Sequence, residues 1–100
     1  MTYTIDEIKN KLTPIFEQNG ILKAVLFGSY AKGEATEQSD VDIVAHVDDE
    51  MSIFDFAEIS GFVEDALGKK VDFLYGYDVI PGGKVDVELQ KDGVILYAKM

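Results

Sequence analysis

The stretch from Val25 to Ala45, VLFGSYAKGEATEQSDVDIVA, constrains the rest of the chain most tightly. An apolar run ends in Gly28-Ser29, and a short segment closes at Gly33. After a polar loop, Ser39-Asp40-Val41-Asp42-Ile43 opens a second apolar run. Asp42 interrupts that run, in a strand setting where Asp is disfavoured. If the segment is a strand, Asp40 and Asp42 point to one face, about 7 Å apart along it. Val41, Ile43, Ala45 and Val47 then take the opposite face and pack a core. Two carboxylates on an open strand face make an oxygen-ligand site suited to Mg²⁺. Gly28-Ser29 ends one strand and starts a helix, where free backbone N–H groups attract phosphate. Gly28 has no side chain, so the backbone can approach a ligand closely. A phosphate cradle beside a divalent-cation site points to chemistry on a nucleoside triphosphate.

The chain has 100 residues, which predicts one domain over residues 1–100. Its 19 acidic and 9 basic residues leave a net charge of −10. Nucleic-acid binders need a cationic footprint, so direct nucleic-acid binding is not expected. The acidity suits solubility or a basic protein partner. With no cysteine there are no disulfides and no thiolate metal ligands, which fits a reducing, cytoplasmic setting. No apolar run is long enough for a membrane span, and MTYTIDEIKN lacks the features of a signal peptide.

Thr4-Ile5-Asp6-Glu7 has the form of a capping box, and Ile5, Ile8, Leu12, Ile15 and Phe16 follow at helical spacing. Pro14 predicts a kink, or two short helices. Asn19-Gly20 is a stop. Ile21 to Phe27 reads as a buried strand, Ser29 to about Glu34 as a short helix, and Asp40 to Val47 as the second strand. Ser52 caps a helix with one face marked by Ile53, Phe56, Ala57, Ser60, Val63, Glu64 and Leu67. Phe54, Ile59, Phe62 and Ala66 widen that face, so the helix is expected to pack on two sides, one of them a partner chain. Val71 to Tyr75 alternates as a third strand. Lys84 to Gln90 fits either a strand or a short helix, with helix preferred, and Val94 to Ala98 is the last strand. This order predicts an α+β fold: a small mixed sheet with helices packed on it.

The series Gly28-Ser29-Tyr30-Ala31-Lys32-Gly33 and, after five intervening residues, Ser39-Asp40-Val41-Asp42 resembles the signature of the minimal nucleotidyltransferases of the DNA polymerase beta superfamily. Asp72 sits where that family places its third carboxylate. The resemblance implies Asp40, Asp42 and Asp72 as catalytic residues and metal ligands. It implies Gly28, Ser29, Lys32 and Ser39 as nucleotide-binding residues, with Lys32 a departure from the commoner Arg. Transfer of a nucleotide attacks the α-phosphate and expels pyrophosphate, and two Mg²⁺ ions about 4 Å apart can steady both the attacking and the leaving oxygens. ATP as substrate is likewise implied by the family. Proteins similar to this one act as antitoxins of HEPN ribonuclease toxins, adenylylating a tyrosine hydroxyl on them in a hetero-oligomer. The alternative is a binding module that neutralises its partner by contact alone. His46 reads as a polar residue at a strand end rather than a ligand. Competing motifs fail: Glu34 follows Gly33 where a P-loop needs Lys, and Asp40-Val41-Asp42 lacks the glycine of a calcium loop.

Overall fold

A computed structural model describes residues 2–100. The chain runs α1 (Ile5–Gln18), β1 (Ile21–Phe27), α2 (Gly28–Lys32), β2 (Val41–Val47), α3 (Ile53–Leu67), β3 (Val71–Tyr75), α4 (Lys84–Asp92) and β4 (Val94–Ala98), with a 3-10 turn at Gly76–Asp78. The sheet order is β3-β2-β1-β4. β1 pairs antiparallel with both β2 and β4, and β2 pairs parallel with β3 through the α3 crossover. The expected α+β arrangement of a mixed sheet under helices is therefore the observed one.

The capping box forms as read. The Glu7 amide donates to Thr4 Oγ1 at 3.1 Å and the Thr4 amide donates to Glu7 Oε1 at 2.8 Å. Ile8, Leu12 and Phe16 of α1 are buried against one sheet face with Ile59, Val63 and Leu67 of α3. Ala24, Leu26, Val41, Ile43, Ala45, Val71 and Leu96 supply the strand side of that core. Phe73 stacks between Phe16 and Phe56, with ring centroids 6.3 and 4.9 Å away. The alternate residues of β1 and β2 turn Val25, Phe27, Asp42 and Val44 to the second face. There α4 packs against β1 and α2.

Three expectations need correction. Pro14 does not divide α1, which runs as one helix from Ile5 to Gln18. The residue is exposed, so the Asn10 carbonyl that loses its partner is solvated instead. α3 buries a narrower face than expected, centred on Ile59, Val63 and Leu67, while Ile53 and Phe54 remain 78% and 84% exposed. Within this chain the helix meets α1 and the sheet along that one face. The second strand starts at Val41, leaving Asp40 in the preceding loop. The ambiguous segment after Gly83 is helical, as preferred. Among the described residues no helix is long and apolar enough to cross a membrane.

Candidate active site

The end of β1 sets the site. Phe27 is the register partner of Asp42, and Asp42 of Asp72. Three adjacent strands thus place the two aspartates side by side on the face away from the main core, with strand spacing of about 4.8 Å. Their alternate neighbours, Val41 with Ile43 and Val71, go into the core and anchor both strands. Apolar burial on the opposite face thus fixes where each aspartate stands.

Gly28 fixes how close β1 comes. Its φ is +73°, and a Cβ there would stand 2.2 Å from Asp42 Oδ2. The sequence suggested that Gly28 spares room for a ligand's phosphates. The first thing it spares room for is the Asp42 carboxylate. α2 starts at this residue and ends in Gly33, whose φ of +73° closes the helix with bonds back to the Ser29 and Tyr30 carbonyls. Tyr30 is buried beneath, its hydroxyl accepting from Lys69 Nζ at 2.8 Å.

Asp42, Asp72, Gly28, Ser29 and Lys32 line one cleft of about 460 Å³. Two expected residues do not line it. Asp40 holds its carboxylate 3.8 Å from Lys70 Nζ. Ser39 Oγ accepts from the Thr36 amide at 2.9 Å, which closes the loop. His46 lies four residues along β2 from Asp42, about 13 Å away, exposed and next to Gly76. Lys84, Val85 and Glu88 of α4 line the cleft, and the charged pair Lys84 and Glu88 was not singled out from sequence. Glu88 Oε1 stands 3.9 Å from Lys32 Nζ. No motif marks Glu88. Its place follows from α4 folding back across the end of β1.

Burial pushes the Asp42 carboxyl up to about 6, reinforced by its hydrogen bond with Asp72 and by the charges of Asp72, Asp40 and Glu88. The cleft walls carry four carboxylates, on Glu34, Asp42, Asp72 and Glu88, against two lysines, Lys32 and Lys84, and Lys32 is engaged by Glu88. This is unneutralised negative charge focused on a pair of hard oxygen donors, which suits a divalent cation such as Mg²⁺. Among the described residues no three carboxylate or imidazole groups converge as a preformed metal centre. The chain itself thus offers the Asp42–Asp72 pair, and the triphosphate of a nucleotide carries further oxygen ligands.

Fold, register and signature together define a nucleotidyltransferase. Residues 10–100 match the family described as polymerase beta, nucleotidyltransferase, and the chain belongs to that family. It is 37% identical to the protein adenylyltransferase MntA of Thermococcus cleftensis over 75 residues, 71% of this chain and 76% of that relative. A solved toxin–antitoxin complex with AMP-PNP has the same fold, with a TM-score of 0.76 and 22% identity over 92% of this chain and 74% of that one. So does a complex of the tri-AMPylated HEPN toxin of Shewanella oneidensis with its MNT antitoxin, with a TM-score of 0.71 and 19% identity over 96% of this chain and 74% of the other.

Proposed function

We propose that this chain is a Mg²⁺-dependent protein adenylyltransferase that moves AMP from ATP to a tyrosine hydroxyl of a partner protein, acting as the antitoxin of a HEPN ribonuclease toxin. One observation carries the reading: Asp42 and Asp72 stand in register at the mouth of the cleft that Gly28 and Ser29 also line. The relative named protein adenylyltransferase and the fold shared with toxin–antitoxin complexes support the acceptor class.

In this reading Asp42 and Asp72 hold Mg²⁺, with Asp40 close enough for its charge to bear on Asp42. When bound, Mg²⁺ supplies charge neutralisation to a reaction between two anionic partners. Ser29 and the Gly28–Ser29 backbone hold the triphosphate, and Lys32 and Lys84 offset its charge. The acceptor oxygen forms a bond to the α-phosphorus, the bond from that phosphorus to the β-phosphate oxygen breaks, and pyrophosphate leaves. The acceptor proton goes to the Asp72 carboxylate. Asp72 takes this role because β3 is the edge strand, so an acceptor entering from the open side of the sheet meets it first. Ser39, bonded within its loop, holds the segment that leads into Asp40.

The test is incubation with Mg²⁺, labelled ATP and the protein encoded next to this one, with the label located by mass spectrometry. Label on a partner tyrosine that vanishes with Asp42→Asn is the expected result. Neutralisation of the partner by the unlabelling variant, as efficient as by the wild type, would instead support inhibition by contact alone.

A further inference from the structure

A second, larger groove of about 640 Å³ lies beside the carboxylate cleft, walled by Ile53 and Phe56 of α3, Phe73 and Tyr75 of β3, and Ile80 and Val85 around the start of α4. Leu74, Lys84 and Val85 line both spaces, so the groove runs into the cleft from the β3 side, the side of Asp72. Its apolar walls are not spare core. Ile53 is 78% and Ile80 73% exposed, and contiguous apolar surface of this kind marks a binding site.

Acidic groups outnumber basic ones around it, with Lys84 the exception. Asp78 lines the groove. Asp48, Asp49 and Glu50 are exposed and directly precede Met51 and Ser52 of its wall, and exposed Asp55 directly precedes Phe56. Tyr77 donates its hydroxyl to Asp49 Oδ1 at 2.6 Å, which fixes one carboxylate of that loop. Lys84 is the lysine among the lining residues, and it stands at the junction with the cleft, where phosphate would lie.

We propose that this groove seats an apolar segment of the acceptor protein flanked by lysine or arginine, and delivers the hydroxyl that the segment carries to Asp72. The proposal rests on the transfer reading above. Apolar walls take the centre of such a segment, and the acidic surround takes its flanks and excludes acidic competitors. A second copy of this chain is a poor occupant, because each copy carries a net charge of −10.

The experiment uses the full chain and two fluorescein-tagged peptides with a Leu-Tyr-Phe centre, one flanked by lysines and the other by glutamates. The lysine peptide is expected to bind at least tenfold tighter than its twin and to weaken as salt rises. Ile53→Asp combined with Ile80→Asp is expected to lose at least tenfold of that affinity. Both residues are exposed, so the melting temperature and the affinity for AMP-PNP should stay at wild-type values; Ile80→Asp alone provides a milder second variant. No saturable binding, or equal binding of both peptides, overturns the proposal. So does loss of AMP-PNP affinity in the double variant, which would make the groove a nucleoside site. A wild-type dimer that the double variant dissolves would give the groove to a second copy and overturn it too. Failure of the transfer reading looks different: the lysine peptide binds as expected, yet acquires no AMP from Mg-ATP. Conversely, AMP transfer to the peptide that is indifferent to Ile53 and Ile80 rejects the groove and leaves the transfer reading standing.

Discussion

Asp42 is held where ionisation costs it most, half-buried and in register with Asp72. Its folded carboxyl titrates near 6 instead of 3.8, so the folded state binds the proton more tightly than the unfolded chain does. Stability of the metal-free protein should therefore rise as pH falls through about 6 towards 3.8, and fall as pH rises through the same window. Each pKa unit is worth about 1.4 kcal/mol, so the contribution is bounded by about 3 kcal/mol and reduced by the exposure that remains. Asp42→Asn should abolish AMP transfer while raising the metal-free melting temperature at pH 7.5 and flattening its change between pH 7.5 and pH 5. A large destabilisation instead would make Asp42 a structural residue. Gly28 belongs to the same contact. Gly28→Ala should cost roughly 1–3 kcal/mol, from a φ of +73° and a collision with Asp42 Oδ2. Combining it with Asp42→Ala should give a loss smaller than the sum of the two, because the collision is gone and the φ strain stays. Simple additivity in denaturant titrations would show that the close approach contributes nothing. Asp42 was legible in sequence because a charged residue inside an apolar strand has few structural excuses. Glu88 was not, since a glutamate on an amphipathic helix looks like any other solvated charge until α4 is seen against β1.

At the level of elements, hydrophobic periodicity located the sheet well. β1, β3 and β4 occupy the spans their alternation or apolar runs marked, because each is bounded by glycine or by charged turns. The helices were read less surely. Periodicity tells which residues of α3 are apolar but not how much surface the fold has to cover them, so the marked face included Ile53 and Ala57, which remain exposed. In α1 the tertiary contacts of Ile8, Leu12 and Phe16 override the local preference of Pro14 against a helix interior. That leaves a measurable reserve. Pro14→Ala restores a donor for the Asn10 carbonyl on an exposed face, and proline in a helix interior is about 3 kcal/mol less favourable than alanine. Loss of proline's rigidity in the unfolded chain offsets up to about 1 kcal/mol of this. The expected net gain is about 1–2 kcal/mol with activity unchanged, read from chemical denaturation. A destabilised variant would mean that the proline ring itself packs against something α1 needs.

Across the whole molecule the dominant fact is charge. A chain of 100 residues at −10 repels itself, and the cleft concentrates that repulsion, with four carboxylates against two lysines. Net charge was readable from composition, but its focus was not, because Glu34 and Glu88 come from separate elements that only the fold brings together with Asp42 and Asp72. Any salt should stabilise such a protein by screening. A site-bound cation should do more, and the two effects separate at matched ionic strength. With Mg²⁺ at about a hundred times its dissociation constant, binding to the folded state alone adds about 2.7 kcal/mol. At roughly 4–8 °C per kcal/mol for a domain of this size, the melting temperature should rise by about 10 °C or more beyond the rise in NaCl of equal ionic strength. Asp72→Asn should keep the rise common to both salts and lose the excess, since it removes one of the two donors and leaves the overall charge nearly unchanged. Adding AMP-PNP with Mg²⁺ should widen the excess in the wild type, because the triphosphate completes the ligand set, and Ser29→Ala should narrow it. Equal shifts in MgCl₂ and NaCl for the wild type, with or without AMP-PNP, would place the negative charge of the cleft among the ordinary surface charges of an acidic protein and leave the Asp42–Asp72 pair without a cation to hold.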